Sequence, residues 1–275
     1  MGRIDRSHYP EHHVYPVTIL RMRLVVLGSG SAVPHPRRSS SAYWLETSSG
    51  NILLDCSATA PYQMAKFGVD WPDLDAIWIS HFHMDHVGGL GSFFAGTKHA
   101  PEMRERKKPL TIFGPAGIEN LFDGISSVRD YKLREQPFPL RVIEVAEGER
   151  FEIVPGVEAV TLKTPHTDES LAIRIHDKDL TLTYSADTGF DEKVAEFASG
   201  VDLMIVECTF IREKRSKKHL VLSEALDLIN RAKPRHAMLT HFYPEWDEVD
   251  FENEVAALSP VCEVVEAEDG LICEI

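Results

Sequence analysis

Residues 78–90 read WISHFHMDHVGGL, which places His81, His83, Asp85 and His86 within six positions. Imidazole and carboxylate are borderline-to-hard ligands that suit zinc and also manganese or iron. The apolar AIWIS just before them reads as a strand, so the chain leaves it extended, with side chains at i and i+2 pointing the same way. His81 and His83 are so spaced and could hold one ion. HVGGL reads as a turn into a helix, and that change of direction could aim Asp85 and His86 at a second. A lone histidine is by default a packed or surface residue. Four ligand-type side chains at the exit of a buried strand are more than packing calls for.

Two ions need further ligands. His166 follows AVTLKTP, Asp187 follows LTLTYSA, His241 follows HAMLT and Asp55 follows NILL. Each stands at the end of an apolar run, where loops gather functional side chains on a rigid scaffold. Taken singly, Asp187 before Thr-Gly reads as a turn and Asp55 as a helix cap.

The elements that must position these residues alternate in type. SAYWLETSSGNILLDCS reads as a hairpin, and RVIEVAEGERFEI as a second one turning at Glu147-Gly148. LAIRIHDKDLTLTYSADT reads as two strands joined at Asp177–Asp179, and CEVVEAEDGLICEI alternates around Glu-Asp-Gly. Helical patterns occur in ATAPYQMAKFG, PAGIENLFDGISSV, DEKVAEFAS and SEALDLINRA. Hairpins with interspersed helices imply an α/β (α+β) fold: two mixed sheets packed face to face with helices outside. Residues 1–21 read as an N-terminal extension and 22–275 as one domain. GSGS at Gly28–Ser31 lacks the third glycine and the following helix of a dinucleotide fingerprint.

The 275 residues, 43% hydrophobic and 26% charged, fit a globular chain. No apolar run reaches the roughly 18 residues of a membrane span, and the N-terminus has no apolar signal core. The four scattered cysteines, Cys56, Cys208, Cys262 and Cys273, read as buried thiols of a cytoplasmic protein. A net charge of −14 weighs against a large nucleic-acid footprint, since such proteins present a basic face.

The ordered set Asp55, HxHxDH, His166, Asp187 and His241 resembles the metallo-β-lactamase superfamily. GSGSAVPHPRRSSSAYWLE, ISHFHMDHVGGL, IFGPAGIENLF, YSADT, VECTF and LTHFYP resemble its ribonuclease Z branch. The resemblance implies a four-layer αββα sandwich with a dinuclear site at one edge, and hydrolysis of phosphodiesters. It implies that His81, His83 and His166 bind one divalent ion and Asp85, His86 and His241 the other. Asp187 would bridge them, with Asp55 supporting from behind. The ions would be zinc, with manganese or iron(II) also compatible, and a hydroxide held between them would be the nucleophile. Asp85 would orient or deprotonate that water, while Glu207 and His219 would assist departure of the leaving oxygen. Related enzymes are commonly dimers, which is compatible with a homodimer, and the sequence leaves the oligomeric state open.

This chain departs from the branch in one segment. Ribonucleases Z that process transfer RNA carry an RNA-gripping arm, in many bacterial members between the third-motif histidine and the bridging aspartate. Here residues 167–186 suffice for a hairpin and no arm. Val206 stands where the branch usually has histidine, and Ala186 where it usually has glycine. Structured transfer RNA is therefore a poor expectation, and a small or unstructured phosphodiester a better one. The basic run 212–218, REKRSKK, reads as a solvated loop or as an attractor for phosphate. Two alternatives stand beside this reading. One is hydrolysis of a carbonyl substrate (a lactone, thioester or β-lactam); the other is a non-catalytic or iron redox protein on the same scaffold.

Overall fold

A computed structural model describes residues 22–275, so the 1–21 extension lies outside the described residues. The first sheet contains β1 (Arg23–Gly28), β2 (Ala42–Glu46), β3 (Asn51–Leu54), β4 (Leu74–Trp78), β5 (Leu110–Gly114), β6 (Leu140–Glu144) and β14 (Ile272–Glu274). Its order is β14-β1-β2-β3-β4-β5-β6. The second contains β7 (Arg150–Val154), β8 (Val157–Lys163), β9 (Leu171–Asp177), β10 (Leu180–Tyr184), β11 (Leu203–Glu207), β12 (His236–Thr240) and β13 (Glu263–Glu266). Its order is β13-β12-β11-β10-β9-β8-β7. Both sheets are mixed. The strands from β3 to β6 and from β10 to β13 pair in parallel, and the others antiparallel.

The period-2 pattern explains why β1 to β4 read as near-continuous apolar runs. Leu24, Val26, Tyr43, Leu45, Ile52, Leu54 and Trp78 share one core with Ile173, Ile175, Leu182 and Tyr184 of the facing sheet. Val25, Leu27, Trp44, Leu53 and Ile77 point the other way, into a second core. There they meet α1 (Ala60–Lys66), α3 (Leu90–His99) and α4 (Ile118–Ser127). On the far side α5 (Glu192–Phe197) and α6 (Leu222–Ala232) cover the second sheet, with α6 supplying Leu222, Ala225, Leu226, Leu228 and Ile229 to the core. Strands buried on both faces need apolar residues at every position. The result is a four-layer αββα sandwich, as expected.

Two elements differ from the sequence reading. Residues 140–154 are not a hairpin: β6 pairs with β5 in the first sheet and β7 with β8 in the second. The Glu147-Gly148 turn, with Gly148 at φ 73°, carries the chain from one sheet to the other. The C-terminal strands part likewise, β13 joining β12 and β14 joining β1. Alternation shows which face of a strand is apolar, not which strand it pairs with. All four cysteines are free; Cys56 and Cys208 are buried, whereas Cys262 and Cys273 are half-exposed. Among the described residues no helix is long and apolar enough to cross a membrane.

Candidate metal centre

The site lies where strands of both sheets end. β4 stops at Trp78, and the chain runs extended to His83, which opens α2 (Met84–Val87). His81 and His83 leave this run with rings 4.7 Å apart, while α2 turns Asp85 and His86 to the other side. Three further strand exits use one backbone device. Asp55 after β3, Ala186 before Asp187, and His241 after β12 have φ of 57°, 54° and 61°. Such left-handed residues cost on the order of 1 kcal/mol each and turn the chain sharply. Glycine takes that conformation freely, which accounts for the glycine expected at 186. Alanine adds the smallest side chain that the position can carry.

Asp187, fully buried, sits among four imidazoles. Its Oδ2 lies 3.7 Å from His81 Nε2, 3.6 Å from His166 Nε2 and 3.3 Å from His241 Nε2, and its Oδ1 lies 3.4 Å from His86 Nε2. Asp85 Oδ2 is 3.5 Å from His241 Nε2 and 3.7 Å from His86 Nε2. Donor atoms of His81, His83, His166 and Asp187 lie within 4.8 Å of one another, as do those of Asp85, His86, Asp187 and His241. The structure thus brings all seven expected ligands together in two groups that share Asp187.

Proton bookkeeping tests whether these groups suit cations. His166 Nδ1 donates to the Lys218 carbonyl at 2.9 Å, and His86 Nδ1 to Asp55 Oδ2 at 2.7 Å. Neither acceptor has a proton to offer, so Nδ1 carries the hydrogen and Nε2 is the atom left for a cation once the ring is neutral. Burial disfavours charge on His86, but Asp187 and Asp55 outweigh it and raise its pKa well above the usual range. His86 Nε2 and His241 Nε2 are buried with no hydrogen-bond partner. His83 Nδ1 lies 3.1 Å from both His81 Nε2 and His166 Nε2. Bare nitrogens converging on a carboxylate fit divalent ions. Burial, with neighbouring imidazoles, holds His81 and His166 in the neutral form that a ligand requires. Burial opposes ionisation of Asp187, but the surrounding histidines outweigh it and keep its pKa well below the usual range.

Asp55, wholly buried, accepts from Ser80 N at 2.8 Å, Ser80 Oγ at 2.9 Å, His86 Nδ1 at 2.7 Å and the Tyr184 hydroxyl at 2.7 Å. Glu207, 1% exposed, accepts from Thr188 N at 2.9 Å, Leu220 N at 3.1 Å, Thr209 Oγ1 at 2.7 Å, Thr209 N at 3.3 Å and His219 Nδ1 at 2.9 Å. Glu207, His219 and His241 form a third group with ligand-like spacing. With so many donors on its oxygens, Glu207 has its acceptor capacity used within the protein. Burial disfavours charge on His219, yet Glu207, Asp187 and Asp85 overcome it and raise its pKa to about 8.

His83, Asp85, Asp187, His219 and His241 line one cavity of about 550 Å³, rimmed by Ser31, Ser40, Met84 and Tyr243. Its Ser31–Ser40 lip is held by Asp269, which accepts from Ser29 N, Ser29 Oγ and Ser39 N. Gly28 is obligatory there, because a Cβ would fall 1.9 Å from the Ser40 carbonyl. The basic run divides in two. Arg212, Lys214 and Arg215 are tied to Glu254, Glu224 and Glu245. Lys217 and Lys218 instead line a cavity of about 960 Å³ that His166 borders, together with Lys163 and Lys193. Sequence reasoning missed Ser80 and Thr209. Their one signal is a small hydroxyl residue directly before His81 and inside VECTF.

The chain is similar to a ribonuclease Z of Shouchella clausii, 27% identical over 92% of this chain and 97% of the relative. It is also similar in structure to the metallo-β-lactamase fold protein YhfI of Bacillus subtilis, with TM-score 0.77 and 22% identity over 93% of this chain and all of that one. The short form of human tRNase Z matches with TM-score 0.73 and 20% identity over 91% of this chain and 98% of that one. These likenesses assign the metallo-β-lactamase fold. Residues 22–259 match the family described as Anti-Pycsar protein Apyc1, and the chain belongs to that family.

Proposed function

We propose that residues 22–275 form one metal-dependent hydrolase domain that cleaves small or unstructured phosphodiesters at a two-ion centre. One observation carries this reading: two ligand groups meet at Asp187 in the same cavity as an imidazole anchored on Glu207. His81, His83 and His166 would hold one ion and Asp85, His86 and His241 the other, with Asp187 common to both groups and Asp55 behind His86. The donor set suits zinc, manganese or iron(II). Bound ions supply Lewis acidity, lowering the pKa of coordinated water from about 15.7 toward about 7.

The chain's own residues do the rest. Asp85 lies at the cavity wall, where it orients the attacking water and takes its proton. His219 gives its proton to the leaving oxygen. Its Nδ1–H is held by Glu207, which leaves the opposite ring nitrogen for the substrate. A carboxylate behind an imidazole stabilises the protonated form. The relatives named ribonuclease Z favour a phosphodiester over a carbonyl substrate. The modest cavity, the net charge of −14 and the short β9–β10 hairpin favour a small ester over structured RNA.

The test is hydrolysis of bis(p-nitrophenyl) phosphate by purified protein with zinc or manganese, and after chelation. Expected is metal-dependent release of nitrophenolate. A protein that holds its metals and turns over no phosphodiester would sink the proposal. A panel of cyclic phosphodiesters, short RNA, precursor transfer RNA and lactones then sorts the substrate class.

A further inference from the structure

Two hydroxyl groups in the centre have more than one imidazole or carboxylate in reach. Ser80 Oγ lies 2.9 Å from Asp55 Oδ2 and 3.0 Å from His81 Nδ1. Thr209 Oγ1 lies 2.7 Å from Glu207 Oε2 and 2.9 Å from His241 Nδ1. All six residues are buried, none more than 3% exposed. A hydroxyl has one hydrogen to donate and can accept as well. A carboxylate only accepts, and bonds to a charged acceptor are the stronger. Each hydroxyl hydrogen therefore goes to the carboxylate, and each oxygen accepts Nδ1–H from the imidazole. In the neutral ring that leaves Nε2 bare, facing Asp187, at both His81 and His241.

The two halves of the centre have the same wiring. Asp55 holds His86 directly and His81 through Ser80. Glu207 holds His219 directly and His241 through Thr209. We infer that Ser80 and Thr209 are positioning residues, each extending one buried carboxylate to a second imidazole. Asp55 thereby orients a ligand of each ion. Glu207 orients a ligand of the second ion together with the leaving-group acid. The inference rests on the two-ion reading above and concerns how the ligands are held rather than what is hydrolysed.

The test reads metal binding by the full chain, without substrate. Zinc affinity and stoichiometry are measured by competition with a chromogenic chelator for the wild type, Ser80→Ala, Thr209→Val and Thr209→Ser. Loss of a group that orients a metal-binding histidine weakens binding about 10- to 100-fold. Thr209→Val is expected to weaken one ion by that factor and leave the other within about threefold, with Thr209→Ser restoring it. Ser80→Ala is expected to weaken the other ion. Wild-type affinity for both ions in both variants would overturn the inference. So would Thr209→Ser binding as weakly as Thr209→Val, since the methyl group and not the hydroxyl would then matter.

Should a variant fail to fold, long-range proton–nitrogen correlation on zinc-loaded, histidine-labelled wild type answers the same question. His81 and His241 are expected to bind through Nε2 and keep a protected Nδ1 proton. Coordination through Nδ1 at either residue overturns the assignment. Ester turnover enters none of these readouts, so a failed phosphodiesterase assay and a failed positioning role remain separate results.

Discussion

His219 stacks on His241 at 5.3 Å between ring centroids and rests on a glutamate that is 1% exposed. This geometry makes a specific kinetic demand. A general acid contributes about 10²- to 10⁴-fold where the leaving oxygen needs a proton. A nitrophenolate departs without one. His219→Ala is therefore expected to lose at least about 100-fold on an ester with a sugar or alkyl leaving group, and less than about tenfold on bis(p-nitrophenyl) phosphate. Comparing kcat for the two esters checks it, and equal losses would remove His219 from the leaving-group role. At this scale the sequence was informative about the atoms that face the cavity. His81, His83, His166, Asp187 and His241 each follow an apolar run, and few structural needs put such a residue there. Ser80 and Thr209 were not legible, because a hydroxyl beside a ligand is common and one of its two partners, Asp55 for Ser80 and His241 for Thr209, comes from a distant part of the chain.

Among the elements, the segment before β5 depends on one side chain. Arg106, 9% exposed, donates to the carbonyls of Pro72, Leu74, Lys108 and Pro109 and so pins residues 106–109 to the start of β4. Arg106→Met fills the space but leaves buried carbonyls unpaired, at roughly 1–3 kcal/mol for each one that water cannot reach. Urea unfolding is expected to show a loss of at least about 2 kcal/mol. Arg106→Lys recovers only part of it, because one ammonium cannot reach four carbonyls across a planar fork. An unchanged midpoint in Arg106→Met would show that water replaces the guanidinium. Most elements could be read from the chain because periodicity reports which face is apolar. What periodicity lacks is partner identity. Val142 and Ile153 look like two sides of one hairpin, yet they lie in different sheets. A glycine turn serves a crossover as well as a hairpin.

Across the whole molecule, residues 22–146 form the first sheet except for one strand, and residues 147–275 form the second and supply that strand, β14. Asp55, His81, His83, Asp85 and His86 lie in the first part; His166, Asp187, Glu207, His219 and His241 lie in the other. Neither part holds all members of either candidate ligand group that shares Asp187. Fragments 22–146 and 147–275, produced separately, are each expected to bind zinc at least about 100-fold more weakly than the intact chain, and to recover affinity on mixing. Calorimetric titration of each fragment and of the mixture checks this; tight binding by one fragment alone would contradict it. β14 lies beside β1, where Ile275 N donates to the Met22 carbonyl at 2.9 Å. A closure between chain positions this far apart must meet the entropy of the loop it closes. Metal capture is therefore a clock on assembly: each of the two candidate ligand groups that share Asp187 draws on both halves, so an ion held tightly would mark a chain whose halves have already docked.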